Sequence, residues 1–240
     1  MEKMLLHCCC APCANQPIDL LMGMGYQLVL FYANSNIHPF AEYVKRRDCM
    51  QDYAKRLDLT WHEDSYQPGT WYQAIGNDGG VFPLIKDEPD IELLNRRRQR
   101  CRLCYRYRLT NLAAEAARQD IGLIATTLAI SPYQHHDILA EELDMAAQAV
   151  GVKAIYFDWR PYYRKGQDKA RDLLFYRQKY CGCEFSRQEA IAERAAGIRG
   201  RRSAGQVVEQ VVERSAEQVA EQSTEQVAGR FGEQQPEQRS

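Results

Sequence analysis

The residues most able to do chemistry lie near the start of the sequence. The stretch HCCCAPC places Cys8, Cys9, Cys10 and Cys13 directly after a short apolar segment. Successive side chains on a strand point to opposite faces and Pro12 ends regular strand pairing, so core packing does not explain four thiols here. Packing groups, disulfide partners and ligands are three alternatives for these sulfurs. We predict that Cys8, which points away from Cys9, is a core residue.

A second thiol motif is CRLC, which contains Cys101 and Cys104. Two cysteines at this spacing can direct their thiolates at one metal from a turn. A zinc half-site, an iron–sulfur half-site and a redox dithiol are therefore all open. The arginines beside the motif are expected to lower the pKa of both thiols and thereby to favour ligation. Cys9 and Cys10 could supply the other half of such a site.

The third thiol motif, CGC, contains Cys181 and Cys183. A disulfide across so short a ring is strained and readily reduced, as is typical of catalytic dithiols. We therefore favour a redox-active pair over the alternative of two further metal ligands. Cys49 lies alone in a predicted helix and is interpreted as a small buried residue without a function.

A basic stretch surrounds the C-x-x-C motif. The sequence NRRRQRCRLCYRYR holds seven arginines, whereas the whole chain has a formal net charge of −1. Such a local concentration of charge predicts contact with a polyanion, and Tyr105 and Tyr107 could stack on bases. The arginines that we expect to contact nucleic acid are Arg96, Arg97, Arg98, Arg102 and Arg106.

Alternating strands and helices must position these motifs. The predicted strands are EKMLLHC, QLVLFYA, LTWHED, GLIATTLAI and KAIYFDWR. The predicted helices are NQPIDLLMGMGY, EYVKRRDCMQDYAKRLD, RLTNLAAEAARQDI and HHDILAEELDMAAQAVGV. This alternation predicts one α/β domain over residues 1–200, with a mostly parallel sheet and helices on both faces. Ligands bind beyond the carboxyl ends of such strands, so HCCCAPC, NSNIHP and SPYQHH should converge.

The remaining features narrow the class of protein. Residues 201–240 repeat glutamate-led tetrads such as EQVV and EQVA, which predicts a low-complexity tail that is disordered or marginally helical. No apolar run is long enough to span a bilayer, and the N-terminus lacks a signal peptide. We therefore expect a cytoplasmic protein with reduced thiols and no membrane partner. The glycine-rich phosphate loops of common ATP-binding proteins are absent from the sequence.

Taken together, the motifs resemble one family, the epoxyqueuosine reductases of the QueH type. The resemblance rests on LLHCCCAPC, FYANSNIHPFAEYVKR, RCRLCYRYRL, ATTLAISPYQHHDIL, FDWRPYY and FYRQKYCGCEFS in this order, within residues 3–187. It implies a fold related to the nucleotide α-hydrolases, the HUP-type α/β sheet. It also implies an oxidoreductase with a tRNA substrate, which removes the epoxide oxygen of epoxyqueuosine at the wobble position and gives queuosine.

The resemblance further implies cofactors and residue roles. The ligands of a [4Fe–4S] cluster would be Cys9, Cys10, Cys101 and Cys104. Cys181 and Cys183 would relay electrons from an external donor, and Cys13 could hold an adjacent iron. His38 and Asp137 are candidate proton donors. The alternative from another class is a zinc-stabilised tRNA-binding module without catalysis, which does not account for the CGC motif.

Overall fold

The computed structural model describes residues 2–76 and 91–195. In these ranges the strands are β1 (Lys3–His7), β2 (Gln27–Tyr32), β3 (Thr60–Glu63), β4 (Leu123–Thr126) and β5 (Lys153–Ala154). The helices there are α1 (Ala11–Gly23), α2 (Phe40–Arg56), α3 (Pro68–Ala74), α4 (Ile91–Arg118), α5 (His136–Val150), α6 (Tyr163–Asp172) and α7 (Glu184–Ala195). None of these helices is both long and apolar enough to cross a bilayer. The predicted tail lies outside the described residues, so the domain boundary stays a prediction.

The strands form one parallel sheet in the order β3-β2-β1-β4-β5. At its centre, Leu5 of β1 lies opposite Val29 of β2 and Ile124 of β4. Right-handed crossovers place α1 and α2 on one face of the sheet and α4 and α5 on the other. The contacts between helices agree with this placement. Helix α4 packs against α5 on one face, whereas α1 packs against α6 on the other. The predicted α/β class with helices on both faces is confirmed.

The central strands are buried on both faces. All residues of β1 after Lys3 are buried, as are all residues of β4. Burial on both faces explains why these strands are continuous apolar runs rather than alternating ones. Helices add apolar side chains such as Ile18 of α1 and Met50 of α2. The core therefore fixes the carboxyl ends of the central strands, where the first thiols begin.

Two helices begin several residues earlier than predicted. The first, α1, starts at Ala11 because Pro12 fits the first helical turn, where a backbone N–H has no helical partner. The long helix α4 starts at Ile91, so the C-x-x-C motif lies inside a helix rather than on a turn before one. The arginine and leucine residues around this motif are good helix formers, which favours the earlier start. Helical backbone therefore holds Cys13 and both thiols of the C-x-x-C motif.

All five strands are shorter than predicted, and two of them end several residues early. Strand β4 ends at Thr126, whose Oγ1 accepts a hydrogen bond from the Leu128 N–H at 3.2 Å and caps a 3₁₀ turn over Thr127–Ile130. Strand β5 covers only two residues at the edge of the sheet. The chain then leaves the sheet toward a second 3₁₀ turn over Arg160–Tyr162. Both early ends bring irregular backbone to the carboxyl edge of the sheet.

Candidate metal and thiol site

The carboxyl ends of β1, β2 and β4 meet at the crevice where the strand order reverses. His7 at the end of β1 lies 3.0 Å, through Nδ1, from Oγ1 of Thr126 at the end of β4. Asn34, just after β2, donates to the carbonyl oxygen of Cys8 at 2.9 Å. Ligands of open parallel sheets bind in such a crevice. The predicted convergence is thus confirmed for the HCCCAPC and NSNIHP motifs.

Cys9, Cys10 and Cys13 form a compact group in this crevice, the thiol trio. Their Sγ atoms all lie within 4.8 Å of one another. The Cys9 N–H donates to Oγ1 of Thr127 at 3.3 Å, which ties the first thiol to the end of β4. Cys10 is the N-cap of α1 and Cys13 lies in its first turn. A strand end and a helix start therefore hold the three sulfurs together.

The three sulfurs of the thiol trio differ in pKa, and only that of Cys9 is lowered. Hydrogen bonds from Cys10 and Cys13 lower the pKa of Cys9 well below its ordinary value, and Arg108 adds to the shift. Burial raises the pKa of Cys10, whereas hydrogen bonding to the other two sulfurs raises the pKa of Cys13. Thiolates bind soft metal ions, so the chemistry of this donor set fits a zinc or iron site.

The two cysteines predicted to lack a function have core surroundings. Cys8 is fully buried, and its Sγ donates to the carbonyl oxygen of Leu6 at 3.5 Å. Burial raises the pKa of this thiol well above its ordinary value. Cys49 is half-buried on α2 and packs against the core. Both residues lie where the sequence predicts them.

The thiols of the C-x-x-C motif lie about one turn apart on α4 and are half-buried. Burial raises the pKa of Cys101 to about 12, although Arg100 and Arg97 oppose the shift. Burial likewise raises the pKa of Cys104, to which Nε1 of Trp71 donates at 3.4 Å. The expected lowering of both pKa values by neighbouring arginines is therefore wrong in its net direction. The loss of water around the sulfurs outweighs the attraction of the guanidinium groups.

The CGC motif lies between α6 and α7, where a buried arginine holds its backbone. Arg46 of α2 donates to the carbonyl oxygen of Cys181 at 2.8 Å and to that of Tyr180 at 3.1 Å. Its Nε donates to Glu42 at 2.8 Å, and this carboxylate is also bound by the hydroxyl of Tyr176. A fixed cation in the core thus positions a segment that has no regular structure of its own.

The middle position of the CGC motif has little room for any side chain larger than that of glycine. Gly182 has a φ of +145°, and a Cβ atom there would lie 3.1 Å from Cγ1 of Ile37 and 3.2 Å from Nδ2 of Asn36. The two thiols on either side of Gly182 also differ in their surroundings. Cys181 is exposed, whereas Cys183 is half-buried, and burial raises its pKa to about 11.

Side-chain contacts link the CGC segment to both of the other thiol motifs, although only the sulfurs of the thiol trio form one compact group among the described residues. Cys104 and Cys183 both pack in a small apolar cluster around Trp71. On the segment that leads to the CGC motif, Gln178 donates to Sγ of Cys13 at 3.5 Å. The CGC segment therefore runs between the C-x-x-C thiols on one side and the thiol trio on the other.

Arg108 lies between the thiol trio and the C-x-x-C motif. Its side chain is only 2% exposed and donates to Oδ1 of Asn34 at 2.6 Å. The guanidinium is close enough to lower the pKa of both Cys9 and Cys104. The sequence marks it only as one member of the basic stretch. Its burial could have been predicted from its position one residue before Leu109, on the buried face of α4.

Gln134 brings the SPYQHH motif to the same site. Its Nε2 lies 3.7 Å from Sγ of Cys181, and its Oε1 accepts a hydrogen bond from the hydroxyl of Tyr105 at 2.7 Å. The predicted convergence therefore extends to this third strand-end motif. Neither Gln134 nor Arg46 is predicted from the sequence, since neither residue type indicates a contact with a thiol-bearing segment.

The pKa values of the two candidate proton donors are lowered rather than raised. His38 Nδ1 donates to the carbonyl oxygen of Asn36 at 2.8 Å, and burial lowers the pKa of the ring. Its Nε2 is a buried nitrogen without a partner among the described residues. Burial raises the pKa of Asp137, but hydrogen bonds from the Ile138 N–H and from Arg98 bring it below its ordinary value.

The arginines predicted to bind nucleic acid are paired with carboxylates. Arg102 and Arg106 both contact Glu142, a side chain that is only 1% exposed, at 3.0 and 2.8 Å. The other pairs are Arg96 with Glu92, Arg97 with Glu189 and Arg98 with Asp137. Much of the positive charge of the stretch is thus compensated within the fold, and its contact with RNA stays a prediction.

The sequence and the fold were compared with known proteins. The sequence model of the family described as "Epoxyqueuosine reductase QueH" matches residues 4–189. A protein of that name from Dehalococcoides mccartyi is 30% identical over 193 residues, which cover 80% of this chain and 96% of the relative. Another from Thermotoga maritima is 30% identical over 203 residues, with the same coverage of each chain.

One of the solved structures that this chain is similar to has low sequence identity. It is described as a predicted subunit of a tRNA methyltransferase from Methanocaldococcus jannaschii, with 12% identity and a TM-score of 0.45 over 81% of this chain and 88% of that one. The family match extends from the strand before the thiol trio to the helix after the CGC motif. On the strength of that match and of its relatives, the chain belongs to the epoxyqueuosine reductase QueH family.

Proposed function

We propose that this chain reduces epoxyqueuosine at the wobble position of tRNA to queuosine. The observation that carries the proposal is that the CGC segment contacts both the thiol trio and the C-x-x-C motif, beside the crevice where a parallel sheet binds its ligand. The relatives named epoxyqueuosine reductase support the choice of substrate and reaction. Removal of the epoxide oxygen as water requires two electrons and two protons.

The thiols fit an iron–sulfur cofactor. When bound, a [4Fe–4S] cluster supplies single electrons, and an open iron on it or beside it supplies a Lewis acid for the epoxide oxygen. The residues that would hold the cluster are Cys9, Cys10, Cys101 and Cys104. Cys13 would be available to an adjacent iron. Support comes from the compact thiol trio, in which the pKa of Cys9 is lowered, and from Arg108, which lies near both Cys9 and Cys104.

Cys181 and Cys183 would supply the electron pair. Oxidation of this dithiol forms one S–S bond and releases two electrons and two protons, which balances the loss of the epoxide oxygen as water. The exposed Cys181 would meet both the substrate and an external reductant that restores the thiols. Because the dithiol carries its own protons, neither His38 nor Asp137 is required as an acid.

The proposed substrate also requires contacts with RNA. The arginines of the basic stretch stay candidate contacts, although each would have to exchange a carboxylate partner for a phosphate. A tRNA substrate and nine free cysteines fit a reducing compartment, so we place the proposed activity in the cytoplasm.

The proposal is tested with protein purified without oxygen. We expect a brown protein with iron and acid-labile sulfide at about four each per chain. With a low-potential reductant it should convert epoxyqueuosine in tRNA to queuosine, detected by mass spectrometry of the digested nucleosides. A colourless protein with stoichiometric zinc and no turnover would overturn the proposal in favour of a zinc-stabilised RNA-binding module.

A further inference from the structure

Four basic side chains beside the thiol site have no acidic partner among the described residues. They are Arg164, Lys165, Arg177 and Lys179, and we call them the basic rim. All four side chains are exposed. Unpaired cations at a ligand site are free to bind an anion, whereas paired cations must first give up a partner.

Arg164 and Lys165 form the first half of the basic rim. They lie level with the thiol trio because α6 packs along α1. Gly166 allows the close approach, since its carbonyl oxygen accepts a hydrogen bond from Nδ2 of Asn15 at 2.9 Å and a Cβ there would lie 3.2 Å from Oδ1 of Asn15. Further along, Lys169 pairs with Asp19. The two helices therefore run in the same direction. Their first turns lie side by side, so Arg164 and Lys165 stand beside the turn that carries Cys13.

The second half of the basic rim flanks a residue that contacts the thiol trio. Gln178 donates to Sγ of Cys13 at 3.5 Å, and the residues on either side of it are Arg177 and Lys179. From Tyr176 to Tyr180 the side chains alternate between half-buried and exposed. The amide of Gln178 thus points inward at the thiols while its two basic neighbours point outward.

An aromatic side chain lies next to the two halves of the basic rim. Tyr133 is 45% exposed, and its ring meets the ring of Tyr163 edge-on at 6.1 Å between centroids. Tyr163 begins α6, directly before Arg164, and Arg177 is near enough to oppose the rise that burial causes in its pKa. A base that leaves its stack can pack on an exposed ring of this kind.

We propose that the basic rim binds the phosphate backbone of the RNA substrate next to the thiol site, with Tyr133 as a stacking surface for an unpaired base. This inference rests on the proposed function, because it takes the substrate to be tRNA. It adds a contact surface on the other side of the site from the basic stretch of α4. The two surfaces differ in that the stretch is paired with carboxylates whereas the rim is not.

The test is a quadruple variant, Arg164→Gln with Lys165→Gln, Arg177→Gln and Lys179→Gln, in the full chain. Binding of an unmodified tRNA transcript is measured by fluorescence anisotropy across a series of salt concentrations. We expect the affinity to fall at least about ten-fold at about 0.1 M salt, and the slope of log K against log salt to decrease by about three. Tyr133→Ala should weaken binding about five- to ten-fold without changing that slope.

A control of equal charge removes four exposed basic groups near the amino ends of the strands, of which Lys55 is paired with Asp52. They are Lys3, Lys55, Arg56 and Lys153, each changed to glutamine. This control loses the same charge but should keep wild-type affinity and slope. If wild-type protein binds and reduces tRNA while the rim variant binds as tightly as wild type, only the rim inference is overturned. If wild-type protein does not bind tRNA at all, both the inference and the proposed function fail.

Discussion

The thiol trio and the CGC motif hold their sulfurs in different ways. Cys9 and Cys10 are fixed by the end of a buried strand and the start of a helix, and hydrogen bonds from the other two sulfurs lower the pKa of Cys9. Cys181 and Cys183 lie on a segment without regular structure, which Arg46 holds through backbone carbonyls. The first arrangement restricts the sulfur atoms themselves. The second restricts the backbone and leaves one sulfur exposed, as a dithiol that opens and closes would need.

The largest expected effect is the loss of metal from the thiol trio. Cys9→Ser or Cys10→Ser should lower the iron content of anaerobically purified protein by more than about ten-fold, because a hydroxyl is a poor substitute for a thiolate on iron. Iron and sulfide assays, together with the visible absorption spectrum, measure this loss. Cys49→Ser is the control and should leave both unchanged, since Cys49 packs against the core and does not belong to the thiol trio. Full iron content in both trio variants would remove these residues from the ligand set.

The next effect concerns turnover rather than metal. Cys181→Ser and Cys183→Ser should keep the iron, because neither residue is a proposed ligand, but should stop conversion after no more than one product per chain. The measurement is the ratio of queuosine formed to protein present, alongside the iron assay on the same samples. Colourless variants would make Cys181 and Cys183 ligands. Normal turnover would show that the reaction needs no dithiol. Either result would show that the two regions do not have the separate roles of metal ligand and electron donor.

The thiol trio and the CGC motif also differ in how much of them could be predicted from the sequence. The apolar runs of β1 and β2 and the motifs at their ends were enough to predict where the thiol trio lies, because parallel strands present their carboxyl ends at one edge. The contacts of the CGC segment were not predictable, since they come from α2, more than a hundred residues away in sequence. A signal was nevertheless present. Arg46 falls three residues after Tyr43 and four before Met50, on the buried face of its helix.

Removal of Arg46, the cation that holds the CGC segment, should mainly lower the stability of the fold. Arg46→Gln leaves the buried carboxylate of Glu42 without its guanidinium and frees two carbonyl oxygens. We expect the free energy of unfolding to fall by about 3 kcal/mol, with a loss of turnover larger than the loss of iron. The neighbouring Arg47→Gln is the control. Its partners Asp48 and Glu63 are more exposed, so about 0–1 kcal/mol should be lost. Equal effects of the two substitutions in chemical denaturation would argue against a special role for Arg46.

The smallest expected effect tests the backbone of the CGC motif without changing a sulfur or a charge. Gly182→Ala adds a methyl group at a φ of +145°, where it would meet Ile37 and Asn36. The substitution should cost about 1–3 kcal/mol of unfolding free energy.

The matched control for this substitution is Gly69→Ala in α3, where a Cβ has nothing within 4 Å and a helical alanine should stabilise by about 0.4–1 kcal/mol. If the backbone of the CGC motif positions the dithiol, Gly182→Ala should also lower turnover several-fold while the iron content stays at the wild-type level. The two readouts separate the two thiol regions, because a strained CGC backbone displaces Cys181 and Cys183 but leaves the strand end and helix start that hold the thiol trio in place. A parallel loss of iron and turnover in this variant would mean that the two regions are one rigid unit.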